Sequence, residues 1–153
     1  MDREVHVFHQ VLRGSLERLI ACLEGLDREL LNWRPPAPET NSLYVLATHT
    51  LANAEENVLG IACGQPVERD RDAEFLALGD TPEPLIRRAR ELLNRIEAGM
   101  GRLSTADLGA EREHARRGRI SVLEALLITA RHAAEHVGQM ELTRDLAKAA
   151  ALR

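Results

Sequence analysis

Val5, Phe8, Leu12, Leu16, Leu19, Leu23 and Leu26 return every three or four residues. That spacing gives a helix one apolar face and gives a strand none. This first helix is expected from about Asp2 to Gly25, with Gly25 suited to a C-terminal cap. A second starts at Asn41 or Ser42, good N-cap residues, and ends near Cys63-Gly64. Its stripe is Leu43, Ala47, Leu51, Ala54, Val58 and Ile61. A third opens at Thr81-Pro82-Glu83 and ends near Gly99–Leu103. There a threonine hydroxyl can cap, proline is tolerated at the first helical position, and an acid meets the helix dipole. The fourth begins with the capping box Ser121-Val122-Leu123-Glu124 and continues to about Ala149. These segments predict an all-α four-helix bundle, one domain over residues 1–153, with essentially no sheet.

The connections are long. Between helices 1 and 2 lies Leu30-Leu31-Asn32-Trp33-Arg34-Pro35-Pro36-Ala37-Pro38, where three prolines forbid a continuous helix. Leu30, Leu31 and Trp33 predict that this link packs down on the bundle. Residues 65–80 hold the alternating run Glu68-Arg69-Asp70-Arg71-Asp72, which reads as solvated surface. Residues 104–119 read as a mixed loop with a short helical turn at Thr105–Leu108.

Composition removes several classes. Aromatic residues are 3% of the chain, too few for an all-β core or for base-stacking platforms. A net charge of −4 is the wrong sign for a nucleic-acid binder. No run of uncharged apolar residues is long enough for a membrane helix. The charged start Met1-Asp2-Arg3-Glu4 is unlike a signal peptide. Two cysteines make no disulfide framework, so a cytoplasmic protein with reduced thiols is expected. Cys22 and Cys63 read as small buried hydrophobes. The basic clusters Arg87-Arg88-Ala89-Arg90 and Arg112–Arg119 read as a solvated helix face and a solvated loop.

The chemistry lies in His132-Ala133-Ala134-Glu135-His136-Val137-Gly138-Gln139. Residues four apart on a helix lie about 40° apart on one face and about 6 Å apart along it. His132 and His136 both fall on the apolar side of their helix, with Gln139 beside them. Buried imidazoles need partners. A shared divalent cation is one solution, and hydrogen bonds to side chains or carbonyls are the other. The zinc-protease arrangement His-Glu-x-x-His is absent, since position 133 is Ala. On the second helix His49 shares a polar face with Asn53, Glu56 and Gly60, opposite the apolar stripe, so periodicity alone turns it to solvent. Glu56 lies two turns on, about 10 Å away, too far to ligate the same ion. His6, His9 and His114 read as surface residues or incidental partners.

The order of these pieces resembles the DinB/YfiT-like superfamily of metal-binding helical proteins. The residues that carry the likeness are Leu31-Asn32-Trp33-Arg34-Pro35-Pro36, then Asn41-Ser42-Leu43-Tyr44-Val45-Leu46-Ala47-Thr48-His49, then His132 to Gln139. The resemblance implies a metal triad of His49, His132 and His136, with the remaining positions held by water, and so turns His49 inward. It implies a zinc, nickel or iron-type cation and a homodimer. Some related enzymes are metal-dependent S-transferases or isomerases that use a low-molecular-weight thiol such as mycothiol or bacillithiol.

Three readings of function follow. The first is a metal-dependent thiol transferase acting on a small molecule. The second is a metal-binding protein without catalysis, in stress response or sequestration. The third is a helical interaction module with structural histidines. Catalytic residues are not identifiable, and Asn53, Glu56 and Gln139 have no assigned role.

Overall fold

A computed structural model describes residues 1–152 and is mostly helical. Helix α1 spans Arg3–Leu23, and Gly25 follows at φ 72°, the left-handed geometry expected of it. The connection that follows is partly helical. Helix α2, Arg28–Asn32, is capped by Asp27, whose carboxylate accepts from the Leu30 N–H at 2.9 Å. Leu31 is fully buried, so the link packs inward as its apolar residues predict. Residues 33–42 carry the prolines and no helix, and the Thr40 hydroxyl donates to the Pro35 carbonyl at 2.8 Å.

Helix α3, Leu43–Ala54, starts at Ser42, whose Oγ accepts from the Val45 N–H. It runs directly into a π-helical stretch, Glu55–Ala62, in which the Cys63 N–H reaches back five residues to the Val58 carbonyl. A π turn holds more residues than an α turn. The buried face therefore passes through Val58, Leu59 and Ala62, and Ile61, expected on the apolar stripe, is only half-buried.

Helix α4, Arg71–Phe75, occupies part of the expected loop and is capped by Asp70. Helix α5, Glu83–Met100, has no side-chain cap: Pro82 itself takes helical angles, and the expected Thr81 cap is not made. A 3-10 turn covers Thr105–Gly109, where a short turn was expected. After it, strands β1, Glu111–His114, and β2, Gly118–Ser121, pair antiparallel with Glu111 opposite Ser121. The expectation of no sheet is corrected here. Gly118 at φ 70° turns the chain, and His114 and Ile120 are drawn under the hairpin. Helix α6, Val122–Ala151, opens on the expected capping box: Ser121 Oγ accepts from the Glu124 N–H, and Glu124 accepts from the Ser121 N–H at 2.7 Å.

The core is one cluster fed by all the long helical segments. Leu16, Leu19 and Leu23 of α1, Leu43 and Leu51 of α3, and Leu59 of the π stretch meet Ile96 and Met100 of α5 and Val137 and Met140 of α6. Among the described residues no helix is long and apolar enough to cross a membrane.

Candidate metal centre

Helix α6 supplies two imidazoles from one face and α3 supplies the third. The Nε2 atom of His132 lies 3.0 Å from that of His49 and 3.1 Å from that of His136. One ligand atom from each of the three residues falls within 4.8 Å of the others, so the cluster can hold a metal ion. His49 is buried and the other two are half-buried. The solvent-facing orientation that periodicity gives His49 is corrected: the polar face of α3 turns toward α6 and meets the two histidines on the inward side of that helix.

The tautomers are set from behind. Glu74 Oε2 lies 2.7 Å from His49 Nδ1, and an ionised carboxylate can only accept, so His49 donates Nδ1–H. His136 Nδ1 likewise donates to Gln139 Oε1 at 2.6 Å. Both residues therefore present an Nε2 lone pair to His132. A neutral His132 carries one proton, which satisfies at most one of those lone pairs. Its Nδ1 is buried with no partner among the described residues. A cation satisfies all three converging nitrogens. Zinc–nitrogen bonds of 2.0–2.1 Å place tetrahedral donors about 3.3 Å apart, close to the separations of His132 from its two neighbours. The residues fit the group.

Burial, with the neighbouring His136 and His49, pushes the His132 imidazole down to about 3. Burial also lowers His49, outweighing the opposing pull of Glu74. Both rings are thus neutral near pH 7, the form that ligates a metal.

Glu74 is held in turn by Arg69, whose Nε and Nη2 donate to its two oxygens at 2.6 and 2.9 Å. Arg69 Nη1 donates to Glu56 Oε2 at 2.6 Å, and Arg116 donates to the same oxygen at 2.8 Å. The Arg69 side chain is only 5% exposed and that of Glu74 6%. Burial opposes ionisation of Glu74, yet the bonds from Arg69 and His49 hold its carboxyl below the usual range. Glu56 behaves likewise under Arg69 and Arg116. One expectation is corrected here. The 68–72 run is not wholly solvated, because Arg69 turns inward to acids outside that run. The arginines of the Arg112–Arg119 cluster are exposed as expected, on a hairpin rather than a loop, with Arg116 closing on Glu56.

Of the remaining candidates, Glu56 stays out of the triad as expected, and Gln139 orients His136. Asn53 is buried, with no partner for its Oδ1 among the described residues. His6 is exposed, but His9 and His114, expected at the surface, are 4% and 2% exposed. His9 lies on the inner face of α1, and His114 under the hairpin, where its Nδ1 accepts from the Arg116 N–H. Cys22 is buried and Cys63 half-buried, both free, and burial pushes both thiols up. Glu74 was missed from sequence because its link to His49 spans 25 positions in no periodic register. On the other side of the cluster a groove of about 400 Å³ is lined by Pro35, Thr40, Asn41, His136, Gln139 and Leu142.

Facing helices that aim three imidazoles at one point define a helical histidine-cluster protein. The chain belongs to the DinB superfamily, whose sequence model matches residues 12–140 and so spans all three histidines. Two solved structures share its fold. A conserved protein from Enterococcus faecalis is 15% identical, with a TM-score of 0.78, covering 97% of this chain and 99% of that one. A DinB-like protein from Bacillus cereus ATCC 10987 is 20% identical, with a TM-score of 0.71, covering 92% and 91%. No curated protein matches the sequence.

Proposed function

We propose that this protein is a four-helix bundle, with the proline-containing connection on its flank, that binds one divalent cation through His49, His132 and His136. The observation that carries the reading is the convergence of three Nε2 atoms that hold one proton between them at most. Imidazole donors without thiolate suit zinc or nickel and favour neither strongly. With three protein ligands the site is open, as catalytic sites are and structural ones are not. We infer a metal-dependent S-transferase that joins a low-molecular-weight thiol to a small electrophile, or an isomerase that uses such a thiol.

A bound cation supplies Lewis acidity, lowering the pKa of water or a thiol enough to give a nucleophile near neutral pH. The chain does the rest. Glu74 and Gln139 hold two ligands in the right tautomer. His136 and Gln139 wall the groove, so a small molecule lying there reaches the triad. Glu74 and Glu56 are engaged by Arg69, so the proton of an acidified thiol or water would pass to solvent. A reducing, cytoplasmic setting fits the free thiols.

Protein purified without an affinity tag should carry about one zinc or nickel per chain. Calorimetry on stripped protein should show that His132→Ala, His136→Ala and His49→Ala each lose most of the binding, while His6→Ala does not. Unchanged affinity in all three would sink the reading. A coupled assay following loss of a thiol with an electrophile separates catalysis from sequestration.

A further inference from the structure

The groups behind His49 form a continuous chain of hydrogen-bonded charges. His49 Nδ1 meets Glu74 Oε2, and both Glu74 oxygens meet Arg69. Arg69 spans to Glu56, and Glu56 reaches Arg116 at the hairpin turn. Four of these five groups are largely shielded from water; Arg116 alone is well exposed. Buried ions are expensive unless paired and hydrogen-bonded, and a pair whose partners are both satisfied is usually no more stable than an apolar replacement. Stability alone is therefore a poor account of this chain. Nor is it a proton path: a guanidinium is not deprotonated in proteins, so no proton passes Arg69.

We propose that Glu74 and Arg69 are positioning residues for the cation site, Glu74 fixing the ring and tautomer of His49 and Arg69 fixing Glu74. This rests on the three-histidine reading above. Arg69 occupies both carboxylate oxygens in a fork, which leaves Glu74 one orientation, with Oε2 shared between Arg69 and the imidazole. A carboxylate on the far nitrogen also makes Nε2 a stronger donor to a metal. Arg69 and Glu74 lie in the segment that includes α4, whose Phe75 ring sits 4.9 Å from the His49 ring. One short segment thus holds the α3 ligand from two sides, by charge and by packing. His132 has no such support, since its Nδ1 has no partner among the described residues.

The test titrates zinc alone into the metal-stripped full chain, with circular dichroism to check folding. Losing a carboxylate behind a ligating histidine costs about 10–100-fold in metal affinity. Glu74→Ala should fall at the upper end of that range. Glu74→Gln, which keeps an oxygen for the His49 proton, should fall at the lower end. Glu141→Gln removes a surface acid paired with Arg18 and should bind as wild type does. Cobalt(II) provides a readout that fold stability does not move: its visible absorption should change in Glu74→Ala and not in Glu141→Gln. If Glu74→Ala unfolds because the Arg69 charge is stranded, Glu74→Gln combined with Arg69→Met buries no lone ion, and it should still lose about 10-fold. Zinc affinity within about twofold of wild type in the folded Glu74 variants, with binding abolished in His132→Ala, would overturn the positioning role and leave the triad standing. No binding in the wild type would overturn both.

Discussion

At the residue scale the centre turns on protonation. His132 and His49 titrate below the ordinary histidine value because burial disfavours the imidazolium, and in His132 the neighbouring rings add to it. The unfolded chain takes up those protons at about pH 6.5, whereas the folded metal-free chain resists at both rings, at His132 down to about 3. Stability from these residues is therefore fully present above about pH 6.5 and is lost as pH falls, the His132 share as it approaches 3. Glu74 and Glu56, both held low by Arg69, add their own loss only at the acid end. The urea midpoint of stripped protein should drop between pH 7 and 5, and a flat midpoint there would contradict the assignment. Gly79 poses a separate steric demand. A Cβ built there would overlap the Tyr44 ring, and its backbone is fixed by Asn32, which accepts from its N–H and donates to its carbonyl at 2.7 Å. Gly79→Ala should destabilise by about 1–3 kcal/mol through overpacking, read as a lower thermal midpoint.

The elements were legible where their signals are local. Ser121 and Glu124 are three apart, so the capping box of α6 could be seen in the sequence, and both of its bonds are made. Ser121→Ala should cost about 1 kcal/mol, which for a chain of this length lowers the thermal midpoint by about 2–4 °C. The π stretch was not legible, because a 3.6-residue template gives it the same apolar positions until Val58 and then diverges. The hairpin was hidden by composition: Glu111, Arg112, Glu113 and Arg119 carry no alternating apolar signal, since only His114 and Ile120 point inward. Helix α4 was hidden in the same way, by a charge run whose visible pattern suits a solvated loop and an N-capped helix equally.

For the whole molecule, association remains a prediction. Val7 and Val11 of α1 and Leu123 and Leu127 of α6 are 37–55% exposed, on helices packed against each other with Arg18 and Glu141 joined across the seam. Two-fold homodimers are the commonest soluble oligomers, so light scattering at micromolar concentration should give about twice the 17.0 kDa of one chain. Val11→Glu with Leu127→Glu should return it to one chain without loss of helicity. The sequence by itself determined the long helical segments, most of their caps and the neighbouring pair His132 and His136, because each depends on residues within one or two turns. It left His49 ambiguous, because a polar helix face reads the same whether it looks at water or at polar groups on a facing helix. Only the tertiary structure decided that, by laying α3 against α6. It alone also turned Arg69 inward between Glu74 and Glu56, since a buried charge is specified by partners that come together only when the chain has folded.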